Sequence, residues 1–136
     1  MFICRSGQSE AYEFPVAVSS GIVAGDLCVL DVTNNVVIPA TAALLNEDLA
    51  GVSIETAGAA AGVVKLIPLR DQLWEWDCTN ATAADQLCQR SILTNAATVA
   101  NTTTEQAVDE VTVVPIVNVG TSKQRGFIGR NIAAVS

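Results

Sequence analysis

The 136-residue sequence contains no histidine and is poor in charge and in aromatic rings. Charged residues make up 15% of the chain and aromatic residues 4%, against about 25% charged residues in an average domain. Without histidine, the chain lacks the usual general base of a Ser or Cys triad and the usual nitrogen ligand of zinc. The composition therefore favours a structural or binding role, and we expect no catalytic residue, no metal and no cofactor.

Acidic residues outnumber basic ones by 14 to 7, and the two kinds are unevenly distributed. All the acids lie in residues 1–120, whereas the remaining residues hold Lys123, Arg125 and Arg130 and no acid. A net charge of −7 argues against nucleic-acid binding, which requires a dense basic surface. The terminal bases either contact an acidic patch on a partner or lie on a solvated hairpin end.

The chain also lacks long apolar runs and a regular cysteine pattern. No run approaches the roughly 18 apolar residues of a membrane span, and the first residues do not resemble a signal peptide. Cys4, Cys28, Cys78 and Cys88 form no CxxC motif. We therefore expect no membrane contact, four free thiols and synthesis in a reducing cytoplasm, with a Cys78–Cys88 bridge as the alternative.

Short runs rich in Val, Ile and Thr alternate with Gly, Pro and Asn turn signals along most of the chain. Such runs predict strands, here at residues 12–18, 26–32, 36–38, 49–56, 63–69, 73–78, 87–93, 111–119 and 125–132. We expect a helical turn at 42–48 and a long surface loop at 95–106. The pattern predicts an all-β fold, a small β-sandwich or β-barrel with minimal helix, as a single domain at 12–136. No internal repeat is evident in the sequence.

Residues 1–11 are predicted to form an extended N-terminal arm. Their middle, Ser6–Glu10, is polar and contains glycine, and such termini stay mobile unless they are tied down. Their apolar tip would be costly to expose in water unless it docks on a partner, for example by adding a strand to a sheet edge. The domain is expected to fold without residues 1–9.

The segment Leu73–Cys78 alternates strictly, with Trp74 and Trp76 on one face and Glu75 and Asp77 on the other. A period of two predicts a strand. Because the remaining core candidates are mostly small, we expect both tryptophans in the core or in a subunit contact, with a ligand platform as the alternative. The two carboxylates are interpreted as a solvated strand face rather than as a catalytic pair.

Several segments resemble those of small virion proteins of tailed phages. Ala24–Leu30 resembles their "aGDlVvl" segment, and Leu49–Thr56 resembles their "laGVa…et" strand. Residues 117–120, together with 126–129, fit the closing strands. The similarity consists of short segments, and the proteins that the chain resembles in them are phage head decoration proteins, also called cement proteins.

The resemblance implies a β-rich protein on the outer surface of the capsid, where it binds the major capsid protein and stabilises the shell. It also implies self-association as a homotrimer. The capsid-binding residues would lie on the arm and just after it: Phe2, Ile3, Cys4, Arg5 and Tyr12. Another virion component, such as a tail or head-fibre protein, and a carbohydrate-binding β module that uses Trp74 and Trp76 are the alternatives.

Overall fold

The structure is a computed structural model that describes residues 1–41, 44, 48–104 and 111–129. Within them the chain is almost entirely β, as the sequence pattern predicted, with a short 3₁₀ turn at Ala84–Gln86. The strands are β1 (Ile3–Ser6), β2 (Tyr12–Pro15), β3 (Leu27–Asp31), β4 (Val36–Pro39), β5 (Leu49–Ser53), β6 (Val63–Pro68), β7 (Leu73–Cys78), β8 (Ser91–Asn95), β9 (Thr98–Thr104), β10 (Thr112–Asn118) and β11 (Lys123–Ile128). The helical turn expected at 42–48 lies mostly outside the described residues.

Strands β7 to β11 form a closed barrel, which we call the C-terminal barrel. The strand order is β7-β11-β10-β8-β9, with antiparallel neighbours throughout. The ring closes where β9 returns to β7 in parallel, with Asp77 opposite Thr98 and Cys78 opposite Val99. Strand β1 pairs with β7 outside this ring.

Strands β2 to β6 form a second sheet, which we call the N-terminal sheet. Its order is β2-β6-β5-β3-β4, and all its neighbouring strands are antiparallel. A single parallel bridge, Val16 with Val37, connects the chain just after β2 to β4. This sheet therefore curls until its first and last strands almost meet.

The two units have the same topology. When the five strands of each are numbered in chain order, both read 1-5-4-2-3, and in both the third strand returns to the first in parallel. The turns that follow β3 and β8 also match, because Asp31 accepts the N–H of Thr33 and Asn95 accepts the N–H of Ala97. The sequence shows no repeat, but the structure is a repeat in strand order.

Two clusters of buried side chains form the core. The smaller one belongs to the curled N-terminal sheet and the loops beside it. It consists of Val16, Ile22, Cys28, Val37, Val64 and Leu66. The larger one contains Trp74 and Trp76 from the C-terminal barrel together with Leu27, Val52 and Ile67 from the N-terminal sheet. Because this cluster draws on both units, the barrel and the sheet share apolar contacts and depend on each other for burial.

Three sequence-based expectations need correction. The surface loop expected at 95–106 is wrong, because Thr98–Thr104 forms β9 and pairs with both β8 and β7. The strand expected at 87–93 begins only at Ser91, since the chain turns at Cys88, whose φ is +65°. The last strand spans Lys123–Ile128, and the rest of the segment expected at 125–132 lies largely outside the described residues.

Gly126 allows β11 to pack closely against β10 and Trp76. A Cβ atom at this position would overlap the carbonyl oxygen of Val114 and lie 2.8 Å from Pro115 Cα and 2.9 Å from Trp76 Cη2. Backbone atoms and a buried indole cannot move aside without disturbing the barrel. Glycine at this position is therefore a packing requirement.

We predict that Gly126→Ala lowers the free energy of unfolding by about 1–3 kcal/mol, the typical cost of overpacking a core. The measurement is urea denaturation followed by tryptophan fluorescence. Gly120→Ala on the same hairpin is the control, because the nearest atom to its Cβ would be Lys123 Cβ at 3.9 Å. Equal stabilities of the two variants would contradict the prediction.

Candidate functional site

The first six residues belong to the fold and do not form a free arm. Strand β1 pairs antiparallel with β7, with Ile3 opposite Glu75 and Cys4 opposite Trp74. Phe2 is 3% exposed and its ring centroid lies 6.0 Å from that of Trp76. The expectation of an exposed apolar tip is therefore wrong for Phe2, because residues distant in sequence bury it. Removing residues 1–9 would delete a strand and a core side chain, so the expectation that the domain folds without them has no structural basis.

The other residues expected to bind a capsid lie on two different sheets. Ile3 and Arg5 are exposed on β1, and Cys4 is half-buried with its thiol donating to the carbonyl of Ser6 at 3.5 Å. Tyr12 is 50% exposed, but it lies on β2 of the N-terminal sheet. The structure therefore brings Ile3, Cys4 and Arg5 together on one strand and places Tyr12 on another.

Glu75 on β7 lies between two arginines on neighbouring strands. Arg5 donates to its carboxylate from Nη2 at 3.0 Å and from Nε at 3.2 Å, and Arg125 donates from Nε at 2.9 Å. The hydrogen bonds from Arg5 hold the pKa of Glu75 below its ordinary value, against the opposing effect of burial, and Arg125 lowers it further. Glu75 is only 5% exposed, so the solvated face expected for it is wrong.

Asp77, on the same face, makes two further ion pairs. Lys123 Nζ lies 2.9 Å from its Oδ1, and the amino nitrogen of Met1 lies 3.0 Å from its Oδ2. The hydrogen bond from Lys123 is the main cause that lowers the pKa of Asp77, and the same contact raises the pKa of Lys123. Lys123 and Arg125 are thus paired within the chain, while Arg130 lies outside the described residues.

These carboxylates therefore hold strands together. Glu75 connects β1, β7 and β11, since Arg5 and Arg125 come from the two flanking strands. A carboxylate that accepts from two guanidinium groups is kept ionised and has no free proton to transfer at neutral pH. The arrangement is suited to stabilising the sheet and not to general acid catalysis.

Trp74 and Trp76 lie in the core, and each is 1% exposed. Among the described residues, neither indole Nε1 has a hydrogen-bond partner. Because both rings are covered by protein, neither can stack on a sugar in this conformation. Both tryptophans are therefore core residues and do not form a ligand platform.

An exposed apolar row lies on β10 and just after it. Ile116, Val117 and Val119 are 45%, 42% and 37% exposed. The pairing of β10 with β11 shifts between Pro115 and Val117, and this bulge leaves Ile116 without a partner in the ladder. Sequence analysis missed the row, although a proline inside a predicted strand is a known signal of a bulge.

Two cavities in the structure are small. One of about 240 Å³ lies beside β1 and is lined mainly by apolar side chains, including Phe2, Ile54 and Ile67. The other, of about 230 Å³, is lined by polar side chains such as Gln86 and Asn101, which are hydrogen-bonded to each other at 3.0 Å. Among the described residues, no group of three His, Cys, Asp or Glu could hold a metal ion. None of the described helices is long and apolar enough to span a membrane.

In comparisons with known proteins, no family model, curated protein or solved structure matches the chain. The likeness to phage decoration proteins therefore depends only on the short segments around β3, β5 and the β10–β11 hairpin. Any function must be argued from these segments and from the surface.

We predict that stability depends on Glu75 and is lost in acid. A carboxyl whose pKa is lowered by folding contributes fully above its unfolded pKa, and its contribution disappears as the pH falls through the folded value. Glu75 has an ordinary pKa of 4.5 and is lowered in the fold. The free energy of unfolding should therefore decrease as the pH falls below about 5.

The measurement is urea denaturation between pH 7 and pH 3 for wild type and Glu75→Gln. The variant should lose about 1–2 kcal/mol at pH 7, discounted because both arginines are partly exposed, and should show a shallower pH dependence. Glu10→Gln, at an exposed position, is the control for the loss of one charge. Parallel pH profiles for wild type and Glu75→Gln would show that the ion pairs contribute nothing.

We predict that the four thiols of the native protein differ widely in reactivity. All four are free, with Cys88 exposed, Cys4 half-buried and the other two buried. Burial raises the pKa of Cys28 to about 12 and that of Cys78 to about 11, so their thiolates are scarce at neutral pH.

A thiol reagent at pH 8 should modify Cys88 quickly, Cys4 slowly and the buried pair only after unfolding. Cys88→Ser should remove the fast phase alone. Unfolded, unreduced wild-type protein should show four reactive groups. Two reactive groups would mean that a disulfide exists, and rapid modification of all four in native protein would mean that the core opens.

Proposed function

We propose that the chain is a phage virion protein that decorates the outside of a capsid shell and stabilises it by binding the major capsid protein. The observation that carries the proposal is the exposed apolar row of Ile116, Val117 and Val119. Three exposed aliphatic side chains within residues 116–119 are costly in water and suited to burial against another protein.

The segments that carry the resemblance give further support, because two of them are neighbours in space. Strand β3 pairs with β5, Gly25 donates to the carbonyl of Ser53 at 2.7 Å, and Ser53 donates back to Asp26 at 2.9 Å. Gly25 has φ of +89°, which favours glycine. The shared letters thus correspond to one local structure, the junction of the turn before β3 with β5.

The proposed mechanism is linkage without catalysis. A protein that binds only the expanded state of the shell stabilises that state by its binding free energy. The ionised groups of the outer face would take no part in chemistry, because Glu75 and Asp77 are engaged by Arg5, Arg125 and Lys123. The protein would be made in the host cytoplasm and would act on the virion surface.

We also propose that the chain associates with itself, as a homotrimer, when it is bound to the shell. The core supports this only indirectly: apart from the two tryptophans and Phe2 it is built mostly from Val, Ala, Leu and Ile, so each side chain contributes modest burial. A copy number on the particle that is not a multiple of three would exclude it.

The alternatives differ in where the protein lies and in what it contacts. A tail or head-fibre component would share the fold but would lie elsewhere on the particle, in the tail or in fibres. A carbohydrate-binding module would need accessible aromatic rings, and the burial of Trp74 and Trp76 removes the two that the sequence suggested.

We predict that the double variant Ile116→Ser/Val117→Thr binds expanded shells at least about tenfold more weakly than wild type, equivalent to about 1.4 kcal/mol. The measurement is co-sedimentation of purified protein with expanded shells of the phage that encodes it. Val32→Thr is the matched control, because Val32 is 73% exposed in the β3–β4 turn and lies on the other unit.

Both variants should retain the circular dichroism spectrum and urea midpoint of wild type. Equal shell binding by the double variant and wild type would exclude the β10 row as the contact. Absence of the protein from purified virions would overturn the proposed function, and location in the tail alone would favour the alternative virion role.

A further inference from the structure

Strands β2 and β7 are equivalent in the repeat, and they match residue by residue. Each is the first strand of its unit, and each pairs antiparallel with the fifth. The pairs correspond in register as follows: Tyr12–Leu66 with Trp74–Gly126, Glu13–Lys65 with Glu75–Arg125, Phe14–Val64 with Trp76–Gln124, and Pro15–Val63 with Asp77–Lys123. In both units a glutamate on the first strand is therefore opposite a basic residue on the fifth.

The second edge of β7 is fully used. Its last residues, Asp77 and Cys78, pair with β9 and close the barrel. Its first residues, Leu73 to Glu75, pair with β1. Strand β1 is thus an added strand that fills the part of the edge which closure leaves free.

The equivalent edge of β2, which we call the open edge, is paired with no strand of the described residues over Tyr12–Phe14. The closing bridge uses Val16, which corresponds to Cys78. The preceding residues, Tyr12 to Phe14, pair with β6 on one side and with no described strand on the other. Val16 donates to Gly62 on the β6 side at 3.0 Å, so alternation along the strand directs the N–H and C=O of Glu13 toward the open edge.

Glu13 is the counterpart of Glu75, but no arginine pairs with it in the way that Arg5 pairs with Glu75. On β7, Glu75 accepts from Arg125 of the fifth strand and from Arg5 of the added strand. On β2, Glu13 is exposed and makes no ion pair with any described residue, and Glu10, three residues earlier in the chain, is also exposed. The open edge therefore carries a carboxylate with no ion-pair partner among the described residues, at the position where the filled edge receives a basic strand.

From this equivalence we propose that the open edge of β2 is an acceptor site for an extended, basic segment of a partner protein. The segment adds an antiparallel strand beside Tyr12–Phe14, as β1 does beside β7, and places an Arg or Lys side chain at Glu13. The identity of the protein that supplies this segment rests on the function proposed above. On that function, the segment belongs to the coat protein.

The edge is suited to strand addition in spite of its proline. Pro15 corresponds to Asp77, which pairs with β9 and not with β1. The missing N–H of Pro15 therefore lies beyond the stretch that an added strand would use. Main-chain hydrogen bonds would provide affinity, and the carboxylate of Glu13 would select a basic strand over an acidic one.

The test uses a peptide with the sequence of β1, the strand that pairs with the equivalent edge of β7, as its probe. The probe is an N-acetylated, C-terminally amidated peptide with the sequence of Met1–Ser6, Cys4→Ser and an uncharged fluorophore, so that Arg5 carries its only charge. Binding to the full-length protein is measured by fluorescence anisotropy. Hydrogen exchange locates the site, and protection is expected at Glu13 and not at Leu73 or Glu75.

Two variants separate charge from backbone. Glu13→Gln should weaken binding about two- to fivefold, the effect of one exposed ion pair. Glu13→Pro should abolish binding, since it removes the N–H that faces the open edge and leaves the pairing with β6 intact. Asp85→Asn is the control, because it removes one exposed acidic charge from the C-terminal barrel.

The outcomes distinguish this site from the proposed function. Peptide binding that Glu13→Pro leaves unchanged, or protection confined to β7, overturns the acceptor site whether or not the protein binds shells. Protection of β2 by the peptide, together with no binding to shells, supports the site and overturns its assignment to the coat protein. Loss of shell binding in Glu13→Pro, with Asp85→Asn unaffected, supports both.

Discussion

The structure depends on β7 being paired along both of its edges. Strand β11 covers one edge, while β1 and β9 divide the other between them. Glu75 lies on the outer face where these strands meet and accepts from Arg5 on one side and Arg125 on the other. The opposite face of the same strand carries the two largest core side chains, Trp74 and Trp76. One strand therefore organises both the ionic outer face and the apolar interior.

The sequence predicted what depends on local pattern. The alternation in Leu73–Cys78 identified a strand and its buried face, and the turn signals identified the all-β class. It failed where burial depends on distant residues. Phe2 resembles the tip of an arm only if the core that covers it is unknown, and Thr98–Thr104 resembles a polar loop only if its partners β8 and β7 are unknown. Strand propensity is weak compared with such tertiary pairing.

The repeat escaped sequence analysis for a related reason. Two sheets can share strand order and register while sharing almost no residues, because backbone hydrogen bonds do not depend on side-chain identity. At matched positions of the first strand, Tyr12 corresponds to Trp74 and Phe14 to Trp76. These positions are aromatic in both units, but the residue types differ. Only the glutamate is identical. The candidate acceptor edge likewise becomes visible only when the two units are superposed in register.

The placement of the aromatic residues gives each half of the molecule its own spectroscopic signal. Both tryptophans lie in the C-terminal barrel, and the only tyrosine of the chain, Tyr12, lies in the N-terminal sheet. Tryptophan emission therefore reports on the barrel, and energy transfer from Tyr12 to the tryptophans reports on the distance of the sheet from the barrel. Since the larger core cluster joins Trp74 to Leu27 and Val52 across the two halves, the native protein provides an internal measure of how cooperatively a duplicated fold comes apart.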